Sequence, residues 1–387
     1  MCIITKNRLI NNKQTREKAY GGSTQIIKTN CRKVVRFIKA IILAGGEGTR
    51  LRPLTYTTPK PMAPLTGKPI LEHIIALLAR HGISDICITI RYLSEAIREY
   101  FSDGSKLGVR LSYNVEREPL GTAGAVRACT DFIGKDDVLV ISGDAATTAD
   151  LTQAVKFHSL RRAEATILLS KADNPRLYGS VFTNKDGRVV RFLEKPKDGA
   201  SCSELVNTGI YVLSAQVPEL IPAGRRCDFA QELFPSMIKS GRRVFAHEAL
   251  GYWKDIGNCD AYLCANFDAL SGKLPLLQHP AGSKRRIWVH SHIPKDVSII
   301  EPCFIGSNVD MGKKAVIGPY VFIGDGSSVG RGAKIRNSVL ISSSVKEASF
   351  VKDSLVCNNT CVPVKERITE ISMPRTAITD ASAAHAI

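Results

Sequence analysis

Between residues 37 and 271, short apolar runs alternate with stretches whose apolar residues recur every three or four positions. The runs at 38–43, 86–90, 109–115 and 138–142 have the length and composition of buried strands. Residues 70–81 carry apolar side chains at 70, 71, 74, 75, 77 and 78, which is one face of a helix, and 94–101 read as a second amphipathic helix. This alternation predicts an α/β domain: a Rossmann-like, mostly parallel sheet with helices on both faces. Sheets of that kind bind ligands beyond the carboxyl ends of their strands.

After residue 286 the rhythm changes. Ile299, Ile305, Met311, Ile317, Ile323, Val329, Ile335 and Ile341 are spaced by six, and glycine follows directly at 306, 312, 318, 324 and 330. A second small or apolar series lies two residues earlier: Val297, Cys303, Val309, Ala315, Val321, Ser327, Ala333 and Val339. A period of six fits neither a helix nor an ordinary strand. It is the hexapeptide pattern of a parallel β-helix, whose coils stack their apolar residues, with glycines expected at tight corners. The resulting division is a basic, disordered extension (1–36), the α/β domain (37–271), a linker (272–286), the β-helix (287–362) and a tail (363–387).

Charge changes this picture only at the front. The formal net charge is +17, but ten Lys and Arg against a single Glu lie before Ala40, in a segment without helical or strand period. A nucleic-acid surface is therefore not expected, and the remaining excess suits a protein that handles polyphosphates. No apolar run approaches the ~20 residues a membrane helix needs. Eleven scattered cysteines without a CxxC pair read as reduced thiols of a cytoplasmic protein.

Candidate chemistry concentrates in 39–75, KAIILAGGEGTRLRPLTYTTPKPMAPLTGKPILEHII. A buried strand runs through Leu43 and Ala44 into Gly45, Gly46, Glu47, Gly48, Thr49 and Arg50. Glycines let backbone N–H groups approach phosphate oxygens, and Arg50 adds a fork of donors. It is no Walker A loop, because Gly67-Lys68 is followed by Pro69. Pro59 and Pro61 then fix the backbone around Lys60, a rigidly held cation of the kind phosphoryl chemistry uses.

This segment resembles the signature of the sugar-1-phosphate nucleotidylyltransferases, an L-A-G-G-x-G-T-R-L-x-P-L-T run followed by P-K-P. The similarity covers roughly 37–362 and is greatest to the bacterial mannose-1-phosphate guanylyltransferase branch. It implies a GT-A-like nucleotidyltransferase domain and a left-handed β-helix. Glu116 with Pro119, Gly121 and Thr122 resembles the family's base-binding loop, and Ser142-Gly143-Asp144 its metal aspartate. Phe192 to Pro196 and Val206 to Gly209 resemble its sugar-phosphate contacts; Tyr252 to Gly257 resembles its second metal carboxylate. One stretch departs from the pattern: after Asp144, Ala145-Ala146-Thr147-Thr148 has two alanines for bulky aliphatics and Thr148 for an inner Asp, which puts local packing and support of the metal site in question.

The resemblance implies transfer of a nucleotidyl group from a nucleoside triphosphate to a sugar 1-phosphate, giving a nucleotide sugar and pyrophosphate. Asp144 and Asp255 would hold Mg²⁺, Arg50 and Lys60 the triphosphate, and Lys195 the sugar phosphate. Glu194, Asn207 and Gly179 would meet the sugar. Asp150 and Asp228 read as simple helix caps. Glu116 suits guanine, whose N1–H and amino group both donate to one carboxylate, so GTP is the expected nucleotide, and the resemblance implies mannose 1-phosphate as the sugar substrate. The alternatives are uridylyl or thymidylyl transfer to glucose 1-phosphate, or a non-catalytic sensor of nucleotide sugars on the same fold. A homo-oligomer through the β-helix is expected, with neither nucleic acid nor membrane as partner.

Overall fold

The computed structural model describes residues 38–197, 199–278 and 285–369, all within one compact unit. The extension 1–36, the linker positions 279–284 and the tail from 370 onward lie outside the described residues.

The central strand, Ile38–Ala44, is the buried run seen in the sequence, and it pairs in parallel with Asp85–Ile90 on one side and Asp137–Ser142 on the other. Arg110–Val115 extends the parallel block as its outermost strand, and there the burial drops to a partly exposed pattern. Past Asp137–Ser142 the sheet changes sense. Leu205–Leu213 joins antiparallel and then branches, pairing with Ala165–Lys171 and, through Val206, with Ser180–Thr183. Val189–Leu193 and Val244–Glu248 complete nine strands. The parallel sense expected from the alternation therefore holds for the first half, and antiparallel pairing builds most of the second, where Val244–Glu248 alone joins Ala165–Lys171 in parallel.

Helix Ile70–Arg80 buries Ile70, Leu71, Ile74, Ile75, Leu77 and Leu78 against one sheet face. It ends where Gly82 takes φ 75° and Ile83 N–H returns to the Leu78 carbonyl, a C-terminal glycine cap. On the opposite face Ala123 and Val126 of helix Gly121–Arg127 pack with Phe229 and Phe234. Short linker residues are not loose: Leu274 is fully buried, and Leu276 and Leu277 pack on the same core as Ile70–Arg80.

From Ile287–Val289 onward, short strands stack into three parallel sheets. Cys303, Ile305, Met311, Ile317, Val321, Ile323, Val329 and Ile335 form the inner column. Early coils advance eighteen residues, as Cys303 pairs with Val321 and Val316 with Lys334. The six-residue register then slips. Val321 pairs with Ser338 and Ile323 with Leu340, so Leu340 takes the inward place expected for Ile341, and Val339 turns outward opposite Phe322. Coils also continue past residue 362, since Arg367–Thr369 pairs with Phe350–Lys352.

Two features of the coils differ from the expected corner glycines. Positive φ falls at Asn308, Lys314, Tyr320, Gly326 and Gly332 and, of the glycines expected at corners, at Gly318 with φ 108°. Gly312 serves close stacking instead: a Cβ there would sit 2.4 Å from the Arg331 nitrogen of the next coil. One outward row, Trp288, Phe304, Phe322, Val339 and Leu355, is in register from coil to coil and belongs to the same core as helices Ile70–Arg80 and Cys259–Leu270.

Candidate active site

The parallel strands end together. Ile38–Ala44 delivers Leu43, Ala44, Gly45 and Gly46; Asp85–Ile90 delivers Thr89 and then Arg91; Asp137–Ser142 delivers Ser142 and Asp144. With Lys60, Glu116, Pro119, Gly121 and Thr122 they line one cleft of about 270 Å³. This is the position the open-sheet rule gives for a ligand.

Gly48 is at φ 65°, and a Cβ there would lie 2.8 Å from Lys60 Cβ. The glycine loop and the Pro-Lys-Pro loop are thereby packed together, with Thr49–Leu51 forming the short turn that carries Arg50. Lys60 Nζ donates to Asp144 Oδ2 in a tight ion pair, and Ser142 Oγ donates to Oδ1 at 2.7 Å. Burial pushes the Asp144 carboxyl up, but the Lys60 charge and these hydrogen bonds prevail and hold it below the usual carboxylate range.

Asp255 reaches the same place from the far end of the domain. Trp253–Asp255 pairs antiparallel with Ala145–Thr147, Asp255 opposite Ala145, and Ile256 N–H donates to the Asp144 carbonyl at 3.1 Å. Thr148 supports this ladder: its N–H donates to the Tyr252 carbonyl, and its hydroxyl accepts from Tyr252 N–H, each at 2.9 Å. The threonine that departs from the family pattern thus braces the strand bearing Asp255. A side chain at Gly257 would meet Asp255 Oδ2 at 2.9 Å and Arg50 Nη1 at 3.5 Å, so Arg50 flanks Asp255. Burial, and next the negative charge of Asp144, push the Asp255 carboxyl up to about 6, against the opposing pull of Lys60, Arg50 and Lys195. All five residues expected to carry the chemistry therefore share one electrostatic environment.

Two mutually repelling, largely buried carboxylates fit a divalent cation. Mg²⁺ takes few protein carboxylates and completes its shell with water and phosphate oxygens. Among the described residues no cluster of three or more His, Cys, Asp or Glu offers a closed metal cage, so the pair suits a cation shared with a substrate.

Glu116 follows the strand Arg110–Val115 and is held up by burial, with Leu120 N–H (3.4 Å from Oε2), Thr89 and Arg91 opposing. Its surroundings are the glycine loop and the 119–122 turn. The residues expected to meet the sugar form a neighbouring group. Asn207 N–H donates to the Gly179 carbonyl at 2.8 Å, and a Cβ on Gly179 would lie 2.8 Å from Glu194 Oε2. The Asn207 amide donates to Tyr211 Oη at 2.9 Å and accepts from Gly209 N–H at 3.1 Å. Burial raises the Glu194 carboxyl, Lys195 opposing and Asp228 adding to the rise. Beyond Asp255, a second hollow of about 400 Å³ runs past Tyr178 and Trp253, which meet edge to face.

Asp150 is the helix cap expected, accepting from Gln153 N–H at 3.0 Å. Asp228 is not. It heads the helical turn Phe229–Leu233 without a capping bond, and instead accepts from Thr122 N–H (3.2 Å) and Oγ1 (3.1 Å), at the wall of the cleft. Thr89 and Arg91 also line the cleft and carry no motif; their place just at the end of a parallel strand is the signal that finds them.

The sequence family described as nucleotidyl transferase matches residues 39–272, which spans every one of these groups. The chain belongs to the nucleotidyl transferase family. A second match, described as the GMPPB C-terminal domain, covers 299–380. The chain is 35% identical to a mannose-1-phosphate guanylyltransferase of Mycobacterium tuberculosis over 73% of its own length and 77% of that protein. It is equally identical, with the same coverage, to a UTP–glucose-1-phosphate uridylyltransferase of Synechocystis. The catalytic subunit beta of a Xenopus tropicalis mannose-1-phosphate guanylyltransferase is 34% identical over 73% of each chain. Among solved structures, a putative glucose-1-phosphate thymidylyltransferase from Bacillus anthracis superposes with a TM-score of 0.55 at 29% identity, over 59% of this chain and 94% of that one. No helix among its described residues is long and apolar enough to cross a membrane.

Proposed function

We propose that the chain joins GTP and mannose 1-phosphate into GDP-mannose with release of pyrophosphate. The observation that carries the nucleotide assignment is Glu116, a half-buried carboxylate in the cleft formed by the glycine loop and the 119–122 turn. Guanine presents two adjacent donors to it, and such donors favour the charged carboxylate that burial opposes. Uracil and thymine present one donor between two carbonyls, which a carboxylate disfavours.

Arg50 and Lys60 hold the triphosphate and take up the charge that develops on departing pyrophosphate. Lys195 neutralises the sugar phosphate, so that its oxygen approaches the α-phosphorus in line with the bond that breaks. No protein nucleophile is needed. Mg²⁺ held by Asp144 and Asp255 supplies neutralisation of phosphate charge when bound. Glu194, Asn207 and Gly179 orient the sugar. The nine described cysteines are free thiols, in keeping with a cytoplasmic enzyme, and the β-helix is the element that assembles copies of the chain.

A second reading, uridylyl transfer to glucose 1-phosphate, is favoured by the equal identity to the Synechocystis enzyme. The test is kcat/KM for GTP, UTP and dTTP with mannose and glucose 1-phosphates, in the native chain and in Glu116→Gln. Charge-assisted hydrogen bonds contribute about 1.5–3 kcal/mol, so GTP is expected to lead by roughly ten- to a hundredfold and the lead to shrink in the variant. A native lead for UTP or dTTP overturns the guanylyl reading, and unchanged ratios in the variant overturn the role of Glu116.

A further inference from the structure

Among the described residues, Asn358 of the β-helix hydrogen-bonds the loop that follows the glycine motif. Asn358 sits at a coil corner with φ 59°, beside Asn359 at 58°. Its amide works in both senses across the domain junction. Nδ2 donates to the Pro53 carbonyl at 2.6 Å, and Oδ1 accepts from the Thr57 hydroxyl at 3.0 Å. Pro53 and Thr57 bracket the short turn Leu54–Tyr56. From inside that turn the Thr55 hydroxyl donates to the Gly48 carbonyl at 2.9 Å, the same carbonyl that receives Leu51 N–H at 2.8 Å to close the turn bearing Arg50. Gly48 in turn is packed on Lys60. An unbroken path of hydrogen bonds and contacts therefore runs from a β-helix corner to both cations of the triphosphate face.

The local chemistry explains why an asparagine stands there. The loop needs one donor, for the Pro53 carbonyl, and one acceptor, for the Thr57 hydroxyl. A primary amide offers both on one flat group, whereas a carboxylate offers only acceptors. Tyr92, donating to the Thr55 and Tyr56 carbonyls at 3.0 and 3.2 Å, holds the loop from the catalytic domain, so Asn358 is the brace from the other side.

We propose that Asn358 is a positioning residue for the triphosphate site, so that the β-helix sets the placement of Arg50 and Lys60 in addition to any part in assembly. This rests on the reading of those two residues as triphosphate ligands. Asn358 lies outside the cleft and touches no substrate; its effect is exerted through the loop.

The experiment uses the full chain with Asn358→Ala, Asn358→Asp and Thr57→Val. The expected result is a fall of roughly three- to tenfold in kcat/KM for the nucleoside triphosphate in Asn358→Ala, on the scale of one or two neutral hydrogen bonds. KM for the sugar 1-phosphate stays within about twofold, and the double variant Asn358→Ala/Thr57→Val is no worse than Asn358→Ala, since the two share a contact. Asn358→Asp, which keeps the acceptor for Thr57 but sets a carboxylate oxygen against the Pro53 carbonyl, loses at least as much as Asn358→Ala. Equal losses on both substrates, or no loss on either, overturn the proposal. Hydrogen exchange of residues 48–57 without substrate separates this from the functional reading. If the native chain forms no nucleotide sugar from any pair, the functional reading falls, while faster exchange in Asn358→Ala still supports the brace and unchanged exchange overturns it.

Discussion

Asp255→Asn is expected to make the metal-free protein more stable while abolishing its activity. In an unfolded chain an Asp carboxyl titrates near ~3.9. Folding carries Asp255 to about 6, through burial and the nearby charge of Asp144. Below pH 4 the group is protonated in both states and costs nothing. As pH rises through 4 to 6, the unfolded chain releases the proton before the folded one does. Folded stability is lost over that window and stays lower above it. Two pKa units at about 1.4 kcal/mol each give a penalty of about 3 kcal/mol at pH 8. Asparagine carries no charge at any pH and escapes it, and Asp144 keeps its pairing with Lys60 in the variant. The assay is urea unfolding of native and variant protein in EDTA at pH 4.5 and 8. The variant is expected to be more stable by up to about 3 kcal/mol at pH 8, with the gain falling to about 1 kcal/mol at pH 4.5. A gain of equal size at both pH values, or none at pH 8, refutes the reasoning.

The same site predicts that MgCl₂ raises the unfolding midpoint of the native protein at pH 8 and much less at pH 5, where Asp255 holds its proton; an equal rise in Asp255→Asn would remove that residue from the metal site. Thr148→Val removes the hydroxyl that accepts from Tyr252 N–H, so a loss of about 1 kcal/mol is expected by thermal unfolding, with kcat reduced because the strand carrying Asp255 loosens; unchanged stability would contradict the bracing role. Phe322 is fully buried and stacked on Phe304 at 5.0 Å. Phe322→Ala is expected to cost about 3–5 kcal/mol in chemical unfolding, and a cost below about 1 kcal/mol would show that the β-helix face is not an integral part of the core.

Much of the fold could be read in advance because its signals are local. Ile70–Arg80 announces itself by six apolar positions on one face, and Ile38–Ala44 by the apolar run from Ala40 to Ala44. The antiparallel second half leaves no such trace, since strand sense is decided by connections rather than by periodicity. The coil slip was hidden because Val339, Leu340 and Ile341 are all apolar, so a counted period passes through the missing residue unnoticed. The glycine loop and Lys60 were legible as one contiguous motif. Asp228 was mistaken for a cap because its partner, Thr122, lies 106 residues away, and Asn358 and Pro53 are farther apart still. Contacts closed by the chain's return are set by three-dimensional packing, which spacing alone does not encode.

The outward row from Trp288 to Leu355 has a bearing on how such chains can be recombined. Because it lies in the same core as the first helix of the α/β domain, the two modules are exchangeable between relatives only as a matched pair: a grafted coil stack must present bulky apolar residues on that one face, in step with the coil length. Insertions at corners on the other faces leave the row untouched. A change of coil length or side-chain size on that face therefore reaches the core of the catalytic module as well.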